Sequence, residues 1–394
     1  MRTDESSATG HKSTKCHSGS QSQEVPAELV RVIYAAAGLG DHSIGDLMMD
    51  GVGQRSFLIT GGAGFIGSHL ADALVAADAR VTLLDDLSTG KRENVEHLLV
   101  DDRVELVVAS ADDQDLVREL VGQSEVVFHL ASAVGVELVV DRPLESLLRN
   151  IRSSDAVTGA CGELGARLIY ASTSEIYGKV NSNFLNEDAD LMLGSPQTAR
   201  WGYAAAKVVG EMMAYGYHRT QGTEAIVVRF FNTVGPRQTG AYGMVVPRLV
   251  GQALAGSELT VYGNGQQVRC FGHVSDAVDA LLRLAVGPES LCGHPYNVGN
   301  RRNEISILEL ARLIVERTGS ASQIELVPFD EVFGEGFEEL GRRRPDTTVL
   351  ERATGWRATR TVEQIVDDVI DHMGAMSESI GGAIPVRGDQ VLEA

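Results

Sequence analysis

The feature that most constrains the fold of this chain is a glycine-rich turn between a strand-like run and a helical pattern. Residues 57–70 read FLITGGAGFIGSHL, so that Gly61, Gly64 and Gly67 recur every three residues. Glycines spaced in this way let the chain turn sharply and let its backbone approach a pyrophosphate. The third glycine lets the helix pack closely on the sheet, with its N-terminus facing the phosphates. The sequence therefore predicts a dinucleotide-binding loop.

The next strand-like run ends in an acid at the position that such a loop requires. Residues 81–84 read VTLL and are followed by Asp85, which lies 18 residues after Gly67. A carboxylate there can accept hydrogen bonds from both hydroxyls of an adenosine ribose. It would repel the 2′-phosphate of NADP, so the sequence predicts NAD as the cofactor.

Apolar runs alternate with helical patterns through the first two thirds of the chain. The predicted first helix covers residues 66–77, and the predicted strands are residues 56–60, 80–84, 104–108, 126–130, 167–171 and 225–230. Strands separated by helices form a parallel sheet with both faces covered and with right-handed crossovers. The pattern predicts an α/β fold with a Rossmann-like doubly wound parallel sheet.

Beyond residue 235 the alternation gives way to short segments interrupted by Gly and Pro. This change predicts a smaller, mixed α/β C-terminal lobe at the carboxyl edge of the sheet, with segments that can interleave with the first domain. Residues 1–23 are rich in Ser, Thr, Gly, Lys and His, a composition typical of disorder. We therefore predict a disordered N-terminal tail, a NAD-binding domain, a substrate lobe and a flexible C-terminal tail, at residues 1–54, 55–235, 236–374 and 375–394.

Composition excludes several classes of protein. The formal net charge is −20, which argues against nucleic-acid binding and against association with an anionic membrane surface. No apolar run reaches the roughly 18 residues that a membrane span needs. The four cysteines lie far apart, without paired cysteine or histidine spacing, so neither a metal site nor a disulfide framework is predicted. The cysteine usage fits a reducing cytoplasm best.

A tyrosine and a lysine lie four residues apart in the predicted helix that follows residue 200. Tyr203 and Lys207 therefore share a helix face. A lysine ammonium and a positively charged nicotinamide would both favour the phenolate form of the tyrosine. Tyr203 could then act as a general base near neutral pH. The segment YASTSEIYG at residues 170–178 closes a strand at the same sheet edge, where open α/β sheets bind their ligands.

Taken together, these motifs resemble those of extended short-chain dehydrogenase/reductases of the nucleotide-sugar epimerase/dehydratase family. The resemblance runs in family order over about residues 55–372 and rests on TGGAGFIG (60–67), LDD (84–86), HLAS (129–132), STSEIYG (172–178), Tyr203 with Lys207, RFFNTVGPR (229–237), VRCFGHVSD (268–276) and RRRPD (342–346). It implies an NAD-dependent enzyme that binds a nucleotide-diphosphate sugar in the cleft between the sheet and the C-terminal lobe.

The resemblance also implies a role for each matching residue. Tyr203 would take the proton of the sugar 4-hydroxyl, Lys207 would lower the pKa of the tyrosine and hold the nicotinamide ribose, and Thr173 would hydrogen-bond the reacting oxygen. The implied cofactor-binding residues are Gly61, Gly64, Phe65, Ile66, Gly67, Asp85, Asp86, Leu130, Ala131, Tyr203 and Lys207. The implied substrate-binding residues are Asn232 at the diphosphate and Arg237, Arg269 and Arg343 at the diphosphate or a sugar carboxylate.

One segment departs from the family pattern. Family members often have Gly-Asp after the third strand, where the acid meets the adenine. Here residues 109–112 read ASAD, and Asp112 and Asp113 lie out of register with that position. The adenine contact is therefore predicted to be altered.

The residues after Thr173 bear on the reaction, which in this family begins with oxidation at C4 of the sugar. Sugar 4,6-dehydratases have Asp-Glu there, simple 4-epimerases have small or apolar residues, and UDP-glucuronate decarboxylases have Ser-Glu. This chain has Ser174 and Glu175, so both belong to the predicted catalytic set. The resemblance favours a UDP-glucuronate decarboxylase-like enzyme. The alternatives are a nucleotide-sugar 4-epimerase of the UDP-glucose or UDP-glucuronate type, another sugar dehydratase, or a non-catalytic NAD-binding protein.

Members of this family often form dimers through two helices of each subunit, which pack into a four-helix bundle. The corresponding segments here are residues 144–163 and 203–220. The resemblance therefore implies a homodimer.

Overall fold

The computed structural model of the chain describes five segments, residues 51–133, 142–198, 200–240, 244–333 and 342–380. Residues 1–50 and 381–394, which make up most of the two predicted tails, lie outside the described residues. Within the described segments, no helix is both long and apolar enough to cross a membrane. The same segments contain no group of three or more His, Cys, Asp or Glu side chains that could hold a metal ion.

The described segments contain strands and helices in alternation. The strands are β1 (Ser56–Thr60), β2 (Arg80–Asp85), β3 (Val104–Val108), β4 (Val126–His129), β5 (Arg167–Thr173), β6 (Ala225–Phe230), β7 (Thr233–Val234), β8 (Leu259–Tyr262), β9 (Val268–Cys270), β10 (Gly272–His273), β11 (Pro295–Val298), β12 (Glu304–Ser306), β13 (Ile324–Val327) and β14 (Arg342–Arg343). The helices are α1 (Phe65–Ala76), α2 (Gln114–Gly122), α3 (Pro143–Leu164), α4 (Arg200–Gln221), α5 (Val245–Leu254), α6 (Val274–Val286), α7 (Ile307–Thr318), α8 (Phe329–Phe333), α9 (Thr348–Thr354) and α10 (Val362–Ile380).

Seven strands form one parallel sheet in the order β11-β6-β5-β4-β1-β2-β3. The central strand β1 is apolar on both faces, and Phe57, Leu58 and Ile59 are all buried. Helices α1 and α6 cover one face, where they contribute Leu74 and Leu281 to a single hydrophobic cluster. Helices α2, α3 and α4 contribute to the cluster on the other face. The predicted doubly wound parallel sheet is therefore confirmed.

The six predicted strands are all present, most of them within two residues of the predicted ends. The seventh strand of the sheet, β11, was not predicted. It is only four residues long and begins with Pro295, so its sequence resembles a loop. Strand β11 pairs with β6, and the preceding helix α6 packs on the sheet. Residues 274–298 therefore belong to the sheet domain, and the two structural units interleave.

The C-terminal lobe has a hydrophobic core of its own. Helices α5, α7 and α10 pack together with β8, and Leu249, Leu310 and Val366 are among the buried side chains. Two small sheets complete the lobe, one formed by β12, β9 and β14 and the other by β13 and β8. The lobe lies beside the carboxyl edge of the seven-stranded sheet, so strands from both units border the same cavity.

The packed core begins before the predicted N-terminal boundary, and the last helix ends after the predicted C-terminal boundary. Val52 is fully buried in the core of the sheet domain, so packing already begins before residue 55. Helix α10 continues to Ile380, past the predicted boundary at residue 374. Its apolar positions, which include Ile365, Val366 and Val369, are buried against the lobe and hold the helix in place.

Candidate active site

A cavity of about 1010 Å³ lies between the carboxyl edge of the sheet and the C-terminal lobe. Every residue that the sequence predicts for the cofactor, the substrate or the chemistry lines this cavity. The glycine loop borders one end, and the three predicted arginines come from segments of the C-terminal part of the chain. Parallel strands and a covering lobe thus bring together side chains that are far apart in the sequence.

The glycine loop has the close approaches that a pyrophosphate cradle requires. Gly61 has a φ of +73°, and a Cβ on it would lie 2.8 Å from the backbone nitrogen of Ala131. A Cβ on Gly67 would collide with the carbonyl oxygen of Gly61. Helix α1 begins at Phe65, and its first amides have no side-chain cap. These features fit the diphosphate of NAD, because the uncapped amides and the helix dipole attract anions.

Asp85 lies at the end of β2, beside the glycine loop. Its carboxylate accepts hydrogen bonds from the backbone nitrogens of Ala63 (3.0 Å) and Leu87 (2.8 Å). Burial raises its pKa, and these backbone donors oppose the increase. Asp86 forms an ion pair with Arg149 of α3. Sequence reasoning did not find Arg149, because the pair joins segments 63 residues apart.

The segment that departs from the family pattern lines the opposite wall of the cofactor end. Ala109, Ser110 and Ala111 border the cavity with small side chains. Asp113 instead caps α2, and its carboxylate accepts a hydrogen bond from the backbone nitrogen of Leu116 at 3.2 Å. The carboxylate of Asp113 is therefore engaged with the helix.

Tyr203 in the first turn of α4 faces the end of β5. Its hydroxyl forms hydrogen bonds with Ser132 and Thr173, which favour its ionised form, but burial dominates and raises its pKa. Ser132 is fixed in turn by a hydrogen bond of 2.8 Å from its Oγ to Oδ1 of Asn150. The protein groups alone therefore keep Tyr203 in the phenol form, and its ionisation depends on positive charge from a bound cofactor.

Lys207 lies one turn further along α4 and is buried. Its Nζ donates a hydrogen bond to the carbonyl oxygen of Ala171 at 2.8 Å. Burial lowers its pKa to about 8, and the nearby carboxylate of Glu211 opposes this decrease. Lys207 is therefore mainly protonated at neutral pH and supplies positive charge next to the cavity.

Glu175 is surrounded by arginines from both structural units. It lies in the short 3₁₀ turn Ser174–Tyr177, and its backbone nitrogen donates to Oγ1 of Thr173 at 3.2 Å. Its carboxylate pairs with Arg343 of β14 and with Arg200 of α4, where Nη2 lies 3.4 Å from Oε2. Burial opposes ionisation of Glu175, but the arginines outweigh this effect and lower its pKa to about 2. Glu175 is therefore a carboxylate at neutral pH.

The remaining predicted residues lie around this centre. Ser174 is buried, and Asn232 donates from Nδ2 to the carbonyl oxygen of Cys270 at 3.1 Å. Arg269 of β9 adds positive charge near Glu175, whereas Arg237 pairs with Asp72 of α1 at 2.7 Å. Arg269 and Arg343 thus act on the same carboxylate, and Arg237 borders the cavity from the side of the cofactor loop.

A buried polar network connects helix α4 with the 3₁₀ turn that contains Glu175. Arg229 of β6 contacts both carboxylate oxygens of Glu211, at 3.0 and 2.8 Å, and donates to the hydroxyl of Tyr177 at 3.0 Å. The Tyr177 hydroxyl donates to Oδ1 of Asn297 on β11 at 2.7 Å. This network ties α4 and the 3₁₀ turn to strands β6 and β11, and so fixes Glu175 relative to Tyr203.

Sequence reasoning missed the partners of the predicted residues. Ser132 belongs to the HLAS motif, but no role had been assigned to it. Arg200 lies three residues before Tyr203, and this helical spacing could have indicated that both face the same cavity. Arg149 gave no comparable local signal, because its partner is supplied by a distant strand.

Comparison with known proteins identifies the family. The model of the NAD dependent epimerase/dehydratase family matches residues 57–299. The UDP-N-acetyl-alpha-D-glucosaminuronate decarboxylase of Bacillus cytotoxicus is 40% identical over 318 residues, which cover 80% of this chain and 97% of the relative. The UDP-glucuronic acid decarboxylase 1 of Danio rerio is 36% identical over 319 residues, which cover 81% of this chain and 72% of the relative.

Solved structures show the same fold. The UDP-glucose 4-epimerase of Thermotoga maritima, solved with UDP-glucose, is 26% identical, with a TM-score of 0.73, and the match covers 82% of this chain and 99% of that chain. The dTDP-glucose 4,6-dehydratase of Streptomyces venezuelae, solved with NAD bound, is 25% identical, with a TM-score of 0.73, and the match covers 82% and 98%. These findings confirm the resemblance and the predicted cofactor.

Proposed function

Because the chain belongs to the NAD-dependent epimerase/dehydratase family, we propose that it decarboxylates a UDP-hexuronate through a 4-keto sugar. The observation that carries this proposal is the environment of Glu175, an ionised carboxylate that follows Thr173 and lies among arginines of both structural units. Residues 173–175 read Thr-Ser-Glu, which is similar to the motif of UDP-glucuronate decarboxylases. Two relatives that are named as nucleotide-sugar decarboxylases match most of the chain.

The proposed reaction begins at the 4-hydroxyl of the sugar. Tyr203 takes the proton of this hydroxyl, and Thr173 and Ser132 orient the tyrosine through their hydrogen bonds. Bound NAD would supply the acceptor for the hydride of C4 and the source of the hydride that is returned. Lys207 is mainly protonated at neutral pH and adds positive charge to the cavity wall one helical turn after Tyr203.

Decarboxylation follows from the chemistry of the 4-ketone. A uronate with a ketone at C4 is a β-keto acid, so the bond between C5 and C6 can break and its electron pair can enter the ketone. Carbon dioxide leaves, the oxygen at C4 gains enolate character, and C5 takes a proton from water. The hydroxyls of Thr173 and Tyr203 can each donate a hydrogen bond to this oxygen, which stabilises its developing charge.

The absence of an acid at position 174 disfavours 4,6-dehydration. That reaction needs a proton donor for the hydroxyl that leaves C6, and dehydratases have an aspartic acid where this chain has Ser174. Since the pKa of Glu175 is lowered to about 2, Glu175 does not supply that proton at neutral pH. Its charge instead suits a role in placing water or the sugar.

The substrate end of the cavity is positively charged despite the acidic composition of the protein. Arg200, Arg269 and Arg343 lie around Glu175, and Arg237 and Arg248 also line the cavity. A UDP-hexuronate carries a diphosphate and a carboxylate. The lining therefore suits a substrate with more negative charge than a nucleotide sugar with a neutral hexose.

The test is to incubate the full-length protein with NAD and either UDP-glucuronate or UDP-N-acetylglucosaminuronate, and to follow products by mass spectrometry and proton NMR. We expect loss of carbon dioxide and formation of a UDP-pentose or UDP-4-keto-pentose. An isomer of unchanged mass with inverted C4 would instead identify a 4-epimerase. The Tyr203→Phe protein serves as the inactive control.

We also propose that the protein forms a homodimer through α3 and α4. These helices pack against each other, and Leu144, Leu148 and Met212 on their surfaces are exposed. A second copy would cover these side chains in a four-helix bundle. Light scattering should give a mass near twice 42.2 kDa, and a mass of 42.2 kDa would contradict the proposal.

A further inference from the structure

Arg200 occupies a position in the cavity that no sequence motif had assigned. It is the first residue of α4 and precedes Tyr203 by three residues, so both side chains lie on one face of the helix. Both line the cavity. The side chain of Arg200 is 17% exposed. Arg200 and Tyr203 therefore face adjoining parts of whatever sugar the cavity holds.

The covalent structure of a hexuronate decides what lies next to Tyr203. The tyrosine acts at C4, and the carboxylate carbon C6 is joined to C5, which is the neighbour of C4. The diphosphate is attached to C1, on the other side of the ring. Arg200, which lies on the helix face of Tyr203 and also contacts Glu175, is therefore better placed for the carboxylate than for the diphosphate.

The contact between Arg200 and Glu175 shows that the guanidinium of Arg200 can pair with a carboxylate inside the cavity. The two oxygens of Glu175 are divided between arginines, with Oε1 near Arg343 and Oε2 3.4 Å from Nη2 of Arg200. A guanidinium has five donors in a planar fork, so it can serve two carboxylates at once. Arg343 is buried, whereas Arg200 is more exposed to the cavity.

We propose that Arg200 recognises the carboxylate of the sugar and so selects uronates over neutral hexoses. This inference rests on the proposed function and adds a residue that determines substrate specificity. Arg200 would bind the carboxylate of the sugar while it keeps its contact with Glu175. The negative charge of Glu175 limits how strongly Arg200 holds the carboxylate, which suits a group that must lose its charge as carbon dioxide.

The test compares binding of three ligands by isothermal titration calorimetry, with the full chain saturated with NAD. The Tyr203→Phe background prevents turnover, and Arg200→Gln is added to it. We expect the affinity for UDP-glucuronate to fall about 10- to 100-fold, as the loss of one charged hydrogen bond predicts. The affinities for UDP-glucose and UDP should change less than about twofold, because neither has the sugar carboxylate.

Two further variants complete the design. Arg200→Lys keeps the charge but loses the planar guanidinium, so it should retain part of the preference for UDP-glucuronate. It replaces Arg200→Gln in the comparison if the Gln variant does not fold. Arg317→Gln, which removes an arginine paired with Asp367 outside the cavity, should leave all three affinities unchanged.

Equal losses for the three ligands would overturn the proposal, because they would assign Arg200 to the diphosphate or to the fold. Unchanged affinity for UDP-glucuronate would overturn it as well. Failure of the proposed function is seen separately, in the absence of carbon dioxide release by the unmodified protein. A protein that prefers UDP-glucuronate through Arg200 but releases no carbon dioxide would contradict decarboxylation alone.

Discussion

The two ends of the cavity are built in different ways. At the cofactor end, backbone atoms and glycines from β1, α1 and β2 make the binding surface, and these elements follow one another in the sequence. At the substrate end, side chains from β5, α4, β9 and β14 meet, and Glu175 is 168 residues from Arg343. A binding surface formed by one continuous segment can be recognised as a sequence motif. A binding surface formed by side chains that are distant in the sequence exists only in the complete fold.

The largest expected effect is at Tyr203, where the two ends meet. Tyr203→Phe removes the proposed base and should lower turnover by about 10²- to 10⁴-fold. NAD should still bind, because the fold does not need the hydroxyl and the glycine loop is unchanged. Steady-state kinetics and a fluorescence titration with NAD measure the two effects. Retained turnover would show that another group is the base.

The network behind the substrate end should also be sensitive to change. Glu211→Gln leaves the buried guanidinium of Arg229 without its carboxylate and should lower the free energy of unfolding by about 3–5 kcal/mol. Asp367→Asn is the matched control, because its ion pair with Arg317 lies at the surface and should contribute little to stability. Chemical denaturation measures the free energy of unfolding of both variants. Equal losses would show that the buried ion pair of Arg229 and Glu211 stabilises the fold no more than the surface pair.

The cofactor end should respond to a single methyl group. In Gly67→Ala the new Cβ would overlap the carbonyl oxygen of Gly61, so the loop must shift, at a cost of about 1–3 kcal/mol. We expect NAD affinity to fall at least about tenfold, which corresponds to 1.4 kcal/mol. Gly374→Ala in α10 is the control, since its Cβ meets no atom within 4 Å. Unchanged NAD affinity in Gly67→Ala would show that the cradle is not in this loop.

The smallest expected effect is the pH dependence contributed by Glu175. Its pKa is lowered from 4.5 to about 2 in the folded protein, so its ionisation stabilises the fold above pH 4.5. This contribution is lost as the pH falls from 4.5 to about 2. Glu175→Gln should therefore be less stable than the unmodified protein at pH 7, by about 1–2 kcal/mol because the site is partly exposed. Urea unfolding at several pH values should show the difference shrinking below pH 4.5.

The same contrast explains what the sequence could and could not predict. Strands β1 to β6 were predicted because long apolar runs alternate with helices, and the cofactor was predicted from Gly61 to Asp85. Tyr203 and Lys207 were predicted from their spacing on one helix, and the motifs indicated their place at the carboxyl edge. Each of these signals is local, so the order of residues along the chain is enough to read it.

The missed features depend on contacts between distant segments. The ion pair of Glu175 with Arg200 and that of Arg229 with Glu211 exist because the sheet places β5, β6 and α4 side by side. Strand β11 was missed because four residues that begin with a proline form a strand only beside β6. The lowered pKa of Glu175 likewise follows from positive charges that arrive from separate strands and a helix.

The late return of β11 to the sheet has a consequence for how the protein is made. Ribosomes deliver the chain from the N-terminus, and β6 at residues 225–230 emerges before its partner at residues 295–298. In that interval the nascent chain carries a sheet whose β6 edge has unpaired backbone groups and is able to pair with other chains. Completion of the sheet therefore waits for the synthesis of much of the lobe, and chains that stall between these strands should be the ones most prone to aggregate.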